Sequence, residues 1–304
     1  MAKNEFDFYS KTSLKSYNLN ESMRYQLAML DQLDVFTRTH CENVANITCR
    51  LCEYLKCSTD FTVYCTTCAY LHDLGKLFIP PSVLQHPGKL SEEQFQIMKT
   101  HTTLGYEMCM KDPKLRKYAA GTIYHHEGLD GSGYPKGLKK KDIPIEGQII
   151  RVADEYDAIV SKRQYKSHVD ISDTLKILVE DSKPSKGIGY GKINKTVLKA
   201  LFKVVIDDVE FEIYQVEKYI DALAEDISRL KEVINFKHHM DKTKSQKKKD
   251  FYAEGIRIMT KKGETSENCE SAIQDYRNSL KMKKQSLRKL HSEIRKIKML
   301  KLTI

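Results

Sequence analysis

Four histidines and two aspartates stand out as residues that could do chemistry: His72-Asp73, His101, His125-His126 and Asp154. Neutral imidazole nitrogen and carboxylate oxygen are the usual donors to divalent ions such as Fe, Mn or Zn, and building a core requires no such set. A divalent ion lowers the pKa of its bound water from about 15.7 to about 7–9, and two ions a few ångströms apart can share a hydroxide aimed at phosphorus. That arrangement hydrolyses phosphodiesters. Asp73 can bridge two ions with its two oxygens while the adjacent His72 fixes one of them. The simplest partition gives His40, His72, Asp73 and Asp154 to one ion, and Asp73, His101, His125 and His126 to the other.

The intervals between these residues are helix-sized, and the stretches that must position them read as helices. From Asn20 onward Met23, Leu27 and Leu30 recur at turn spacing, and the pattern runs through Val35, His40 and Val44 to Leu55. Thr59 and Asp60 offer cap oxygens for a second helix, which carries Cys65, Cys68 and Leu71 into His72-Asp73, and Gly75 lets that helix end. Pro80-Pro81 sets an irregular connection. Ser91 followed by Gln94 predicts a capping box, opening a helix through Phe95, Met98 and His101; Ile97, His101 and Gly105 share a face, so His101 points inward. A further helix from Leu115 reaches His125-His126, where Gly128, Gly131, Gly133 and Pro135 demand a loop. Glu146 to Ser161 returns to helical spacing with Ile150, Asp154 and Ala158 on one stripe, and a Gly-rich loop from Pro184 to Gly191 precedes a short helix through Val197 and Phe202.

Beyond that point the style changes. Ile213, Val216, Ile220, Leu223, Ile227, Leu230 and Ile234 alternate steps of three and four, the spacing of a coiled-coil seam. The rhythm returns at Ile273, Tyr276, Leu280, Leu287, Leu290, Ile294 and Ile297, after a Lys-rich break from Lys242 to Asp250. The two helices fold back on each other or pair between chains. The charge follows the same division: residues 211–304 carry 22 Lys and Arg against 14 Asp and Glu, so most of the formal +10 sits there and the earlier part is nearly balanced. The basic seam is read as a surface for self-association or a protein partner rather than for nucleic acid or an acidic membrane surface. No apolar run approaches the roughly 18 residues that span a bilayer, and the first residues lack a signal-peptide core, so a cytoplasmic protein with eight reduced cysteines is expected.

Taken in order, His72-Asp73-Leu74-Gly75-Lys76, Pro87-Gly88-Lys89-Leu90, His101, His125-His126-Glu127, Asp130-Gly131-Ser132-Gly133-Tyr134-Pro135, Ile143-Pro144 and Ala153-Asp154-Glu155-Tyr156-Asp157-Ala158 resemble the HD-GYP family of cyclic di-GMP phosphodiesterases. The resemblance implies an all-α fold, an HD-domain helical bundle over residues 20–210; outside it lie an N-terminal arm (1–19) and a C-terminal helical hairpin or coiled coil (211–304), read from the sequence pattern alone. It implies hydrolysis of cyclic di-GMP to linear pGpG, in some members onward to GMP. Carried over by position, His40, His72, Asp73, His101, His125, His126 and Asp154 resemble the metal ligands, and Lys76 resembles the lysine that neutralises the scissile phosphate. Arg163 and Lys166 resemble the basic pair that holds substrate phosphate or guanine, and Tyr134 is a candidate base-stacking ring.

Three positions depart from the family pattern. Members with three metals carry a glutamate one helical turn before the first histidine, and Phe36 stands there, so two ions, Fe or Mn, and release mainly of pGpG are expected. Tyr190-Gly191-Lys192 replaces the usual Phe-Asp-Pro, and Gln164 replaces a proline. His86, His168, His238, His239 and His291 are read as ordinary surface or core residues, and Cys49-x-x-Cys52 with Cys65-x-x-Cys68 as inward-facing thiols rather than a zinc site. Glu127 is either an orienter of a ligand histidine or a helix-end cap, and Asp157 a structural partner for an arginine. Two alternatives stay open: a phosphodiesterase of another cyclic dinucleotide such as cyclic GMP-AMP, or a non-catalytic adaptor that senses nucleotide or metal and acts through its C-terminal helices. Turnover lost on His72→Ala and Asp73→Ala separates an enzyme from an adaptor.

Overall fold

The computed structural model describes residues 32–164, 170–184, 187, 189–261, 264–265 and 268–304, with the side chains of 161–164 outside that set. Among these residues all regular structure is helical, and the only strand-like pairing is an isolated antiparallel bridge between Asp130 and Lys139. They form two compact units: the described residues up to Asp207 together with Lys296–Ile304, and Asp208–Arg295. The last residues of the chain therefore belong with the first unit, whereas the sequence pattern assigns them to the C-terminal seam.

In the first unit, helix α1 (Val35–Tyr54) starts where Asp34 holds extended backbone and its carboxylate accepts the amides of Phe36 and Thr37. The cap makes Val35 the start of a new helix, not a continuation from Asn20. Helix α2 (Thr59–Leu71) is capped by Ser58, one residue earlier than predicted, through its hydroxyl and the Phe61 amide. On α1, Cys41, Val44, Ala45, Thr48, Cys49 and Cys52 make a buried stripe at helical spacing, packed against α2 and α7 (Ile145–Gln164). Cys49, Cys52, Cys65 and Cys68 all lie buried inside this packing, none of them in a disulfide.

After a 3₁₀ turn (Leu74–Phe78) and a short helix α3 (Pro81–Leu84), the predicted capping box opens α4 (Glu92–Lys99): the Gln94 amide donates to Ser91 Oγ and the Ser91 amide to Gln94 Oε1. The helix does not run on through His101. Thr100, Thr102 and Thr103 turn their hydroxyls onto the carbonyls of Ile97, Lys99 and Thr100, and a separate helix α5 (His101–Lys111) begins. A 3₁₀ turn (Arg116–Tyr118) leads into α6 (Ala119–Tyr124), and α8 (Ile171–Ser182) packs on α7.

The next helix, α9 (Lys195–Lys242), is 48 residues long. The short helix and the first seam are one element, because no glycine or proline interrupts them. From Asp208 onward it belongs to the second unit. There the Lys-rich segment holds a helix of its own, α10 (Gln246–Met259), before α11 (Cys269–Lys301), so the hairpin becomes a three-helix packing. Ile227, Leu230 and Val233 of α9 meet Cys269 and Ile273 of α11, with Ile256 and Met259 of α10 alongside. Arg229 ties the turn by donating to the Met259 carbonyl and to Glu264 at 2.6 Å each. No helix among the described residues is long and apolar enough to cross a membrane.

Candidate metal centre

Five elements of the first unit deliver the predicted side chains to one place. His40 comes from the middle of α1, His72 and Asp73 from the end of α2, His101 from the first position of α5, His125 and His126 from just past α6, and Asp154 from α7. Three of the imidazoles are held by one device, a ring nitrogen on a carbonyl of the preceding turn: His72 Nδ1 on Ala69 O at 2.6 Å, His101 Nδ1 on Met98 O at 2.6 Å, and His125 Nδ1 on Gly121 O at 2.9 Å. With Nδ1 donating, each Nε2 is left as an acceptor. Glycines permit the approach. A Cβ on Gly75 would stand 1.8 Å from the His101 carbonyl oxygen, and one on Gly121 would stand 2.2 Å from that of Cys68. Gly75 is thus required by the crossing with α5, rather than by the end of α2.

The donor atoms fall into two groups, His40, His72 and Asp73, and His101, His125 and His126, with ligand atoms within 4.8 Å of one another in each. The carboxylates lie between them. Asp73 Oδ2 faces His72 Nε2 at 3.3 Å and His40 Nε2 at 3.8 Å, while Oδ1 faces His101 Nε2 at 3.4 Å and His125 Nε2 at 4.0 Å. Asp154 does the same: Oδ1 lies 3.0 Å from His40 Nε2, and Oδ2 3.8 Å from His126 Nδ1. The simplest partition of the sequence gives Asp154 to one ion only, and the second oxygen departs from that.

Two observations show that the donor set suits cations. His72 Nε2 is buried with no hydrogen-bond partner. The Nε2 atoms of His101 and His125 stand 3.2 Å apart although the Nδ1 of each is engaged by a carbonyl. Two lone pairs at that distance repel unless something positive lies near both.

Burial sets the charge states. It pulls His101 below the ordinary imidazole value, His125 well below it, and His126 down to about 3, so these rings are neutral ligands near pH 7. Burial also opposes charge on His40 and His72, but Asp154 and Asp157 outweigh it at His40 and Asp73 at His72, and both rise. Burial would raise Asp73, yet Lys76 and His72 hold it well below the usual carboxylate range. The Lys76 ammonium rests on Asp73 Oδ2 at 2.5 Å.

The rim is built by the loop after His126. Tyr134 stacks on the His126 ring at 4.6 Å between centroids, and the Lys99 ammonium lies over both Phe95 and Tyr134. Glu127 takes neither expected role: its buried carboxylate accepts the amides of Lys136 and Leu138 at 2.8 Å each and so pins the loop. Gly133 is needed because a Cβ there would meet the Gly128 amide at 2.2 Å. Asp157, read as an arginine partner, holds His40 Nδ1 at 2.6 Å, and its position one turn after Asp154 was the available signal. The side chain of Arg163, and Lys166 altogether, lie outside the described residues, as does the N-terminal arm.

Among known proteins, a family model described as an HD domain matches residues 19–185. A cyclic di-GMP phosphodiesterase of Thermotoga maritima is 44% identical over 136 residues, 44% of this chain and 37% of that protein. The cyclic di-GMP phosphodiesterase response regulator RpfG of Xanthomonas campestris pv. campestris is 39% identical over 140 residues, 45% of this chain and 37% of that protein. A 3'3'-cGAMP-specific phosphodiesterase 2 of Vibrio cholerae serotype O1 is 45% identical over 98 residues, 32% of this chain and 19% of that protein. The matched stretch is thus well under half the length of each relative.

Proposed function

The chain belongs to the HD domain family, and from that premise we propose that it is a metal-dependent phosphodiesterase converting cyclic di-GMP to linear pGpG, with the chemistry carried by residues 20–210. One observation carries the reading: Asp73 and Asp154 each turn one oxygen to His40 and its neighbours and the other to the His101, His125 and His126 side. Two divalent cations, iron or manganese, held by His40, His72, Asp73 and Asp154 and by Asp73, His101, His125, His126 and the second Asp154 oxygen, would supply an activated water and neutralise charge at phosphorus. Phe36 offers no donor for a third, and its side chain is 72% exposed.

The chain's own residues then position the substrate. Lys76 sits on Asp73 beside both groups, where its ammonium can neutralise a non-bridging phosphate oxygen as the diester bond to the 3'-oxygen breaks. Tyr134, with one face on His126, offers its remaining surface to a base at the rim. Arg163, in the last turn of α7, and Lys166, two residues after its end in sequence, are assigned the second phosphate or a guanine. The alternative substrate, cyclic GMP-AMP, has support in three relatives named for 3'3'-cGAMP.

The test is an anaerobic incubation of the purified protein with Mn(II) or Fe(II) and, in parallel, cyclic di-GMP and 3'3'-cGAMP, with products separated by chromatography. Formation of pGpG, lost in His72→Ala and in Asp73→Ala, is the expected result. Faster cleavage of cGAMP would move the assignment to that substrate. Tight nucleotide binding with no product under either metal would leave an adaptor instead of an enzyme.

A further inference from the structure

The end of the second unit takes no part in the metal centre, yet it concentrates two kinds of side chain that rarely sit together in water. Residues 237–249 hold six lysines against one aspartate, Asp241, and Lys242, Lys244, Lys247, Lys248 and Lys249 are all exposed. Beside them is an aromatic cluster. The ring of Phe236 lies 5.5 Å from that of Tyr252 and 6.2 Å from that of Phe251, and His239 stacks on Tyr252 at 5.8 Å. The backbone of α10 is seated on this cluster at Gly255, where a Cβ would stand 2.5 Å from the Phe236 ring.

That seating decides which side of α10 faces outward. Ile256 and Met259 turn in to the helical core of the unit. Lys247, Phe251, Glu254 and Ile258, at steps of four, three and four, form one exposed stripe. Phe251 is 66% and Ile258 70% exposed, so two large apolar side chains stand on the stripe that Lys247 begins, Phe251 just after the lysine run and Ile258 two turns further along the helix. The acidic groups on this helix are engaged locally: Asp250 accepts from Gln246, and Glu254 pairs with Arg257 at 2.6 Å.

We propose that this tip docks on an anionic lipid bilayer, its lysines on the headgroup charge and Phe251 and Ile258 in the boundary between headgroups and acyl chains. Lysine is a compact point charge, suited to a diffuse field of headgroups rather than to planar bidentate recognition. A nucleic-acid surface would favour arginine, but the one arginine of α10 is held by Glu254, and an aliphatic Ile258 gains nothing against a phosphate backbone. A second copy of the chain would set lysine against lysine, and two apolar side chains are too few for the core of a stable interface. An interfacial helix needs this combination of a basic surround and a small apolar edge. The inference stands apart from the phosphodiesterase chemistry and needs no activity to be tested.

The experiment is sedimentation of the full chain with vesicles of phosphatidylcholine alone or of phosphatidylcholine with phosphatidylglycerol, at low and high salt. Binding to the anionic vesicles alone, weakened by salt, is expected. The triple variant Lys247→Glu/Lys248→Glu/Lys249→Glu should bind about tenfold more weakly or worse, and Phe251→Ser several-fold more weakly with its charge intact. Circular dichroism checks that the variants fold, and the salt and lipid comparison on the unaltered chain decides the matter even if they do not. Equal pelleting with neutral vesicles, no pelleting at all, an unaffected triple variant, or retention on structured RNA without vesicle binding would each overturn the proposal.

Discussion

Gly75 offers the sharpest test of how the candidate site is held. Adding a single methyl group there puts a carbon 1.8 Å from the His101 carbonyl oxygen and 2.6 Å from the Gly105 amide nitrogen. Ordinary contact needs about 3.5 Å, so the start of α5 must retreat by roughly 1.7 Å. The atom displaced is backbone, and it belongs to the residue whose Nε2 lies 3.4 Å from Asp73 and 3.2 Å from His125. A functional constellation tolerates about 0.5 Å. Gly75→Ala should therefore cost about 1–3 kcal/mol of stability by overpacking. It should lower turnover about a hundredfold through the misplaced donor. Thermal melting with and without Mn(II), and turnover of cyclic di-GMP, measure the two effects. Gly88→Ala is the control, since the nearest atom to a Cβ there is a flexible His86 side chain at 3.6 Å. If Gly75→Ala melts with the parent and binds Mn(II) equally well, the crossing of the 3₁₀ turn with α5 does not set the position of His101.

Asp157→Asn removes the carboxylate from His40 Nδ1, and should weaken metal binding about ten- to a hundredfold in a calorimetric titration while the fold is kept. Glu127→Ala leaves the Lys136 and Leu138 amides without their acceptor, at about 1–3 kcal/mol; limited proteolysis should then cut within residues 128–138, and unchanged protection would count against Glu127 as the anchor of the loop. His40 and His72 titrate above the ordinary imidazole value and are protonated below their raised pKa values, so a cation must displace their protons. Metal affinity should accordingly fall as pH drops through those values, and the heat of Mn(II) binding near pH 7 should differ between buffers of different ionisation enthalpy; identical heats would exclude proton release.

The helical class is legible because it rests on local rules, and the candidate ligands are legible through the family resemblance, which carries them over by position. Ser91 and Gln94 formed their capping box as the spacing predicts, and the seven metal-ligand candidates meet in one place. What could not be read depends on contacts distant in sequence. The carbonyl that makes Gly75 obligatory belongs to His101, and the amides that occupy Glu127 lie nine and eleven residues downstream. The break at Thr100 is a different case. A continuous 3.6-residue pattern runs through it, but three threonine hydroxyls compete for the carbonyls of that turn. The length of α9 is hidden for the opposite reason: the apolar pattern changes along a helix that no glycine or proline interrupts.

At the proposed site the chemistry of the donor set also fixes the order in which cation and phosphate bind. A site that grips a phosphodiester directly needs donors, whereas the floor here is lined largely by acceptors: the Nε2 lone pairs of the neutral His101 and His125 and the four oxygens of Asp73 and Asp154. The cationic side chains here, Lys76 and the raised imidazoles of His40 and His72, are already engaged by Asp73 and Asp154. At about 4 Å and an effective dielectric near 20, each like-charge pair of phosphate and carboxylate costs about 4 kcal/mol, close to a thousandfold in affinity. Cations must therefore be in place before the phosphate arrives. It follows that removing divalent ions with a chelator should abolish nucleotide binding as well as turnover, and that restoring Mn(II) should recover both. Equilibrium dialysis with labelled cyclic di-GMP measures this directly. A dissociation constant unchanged by the chelator would mean that the phosphate is held elsewhere, on side chains away from the histidines, and the two-cation account of this pocket would have to be given up.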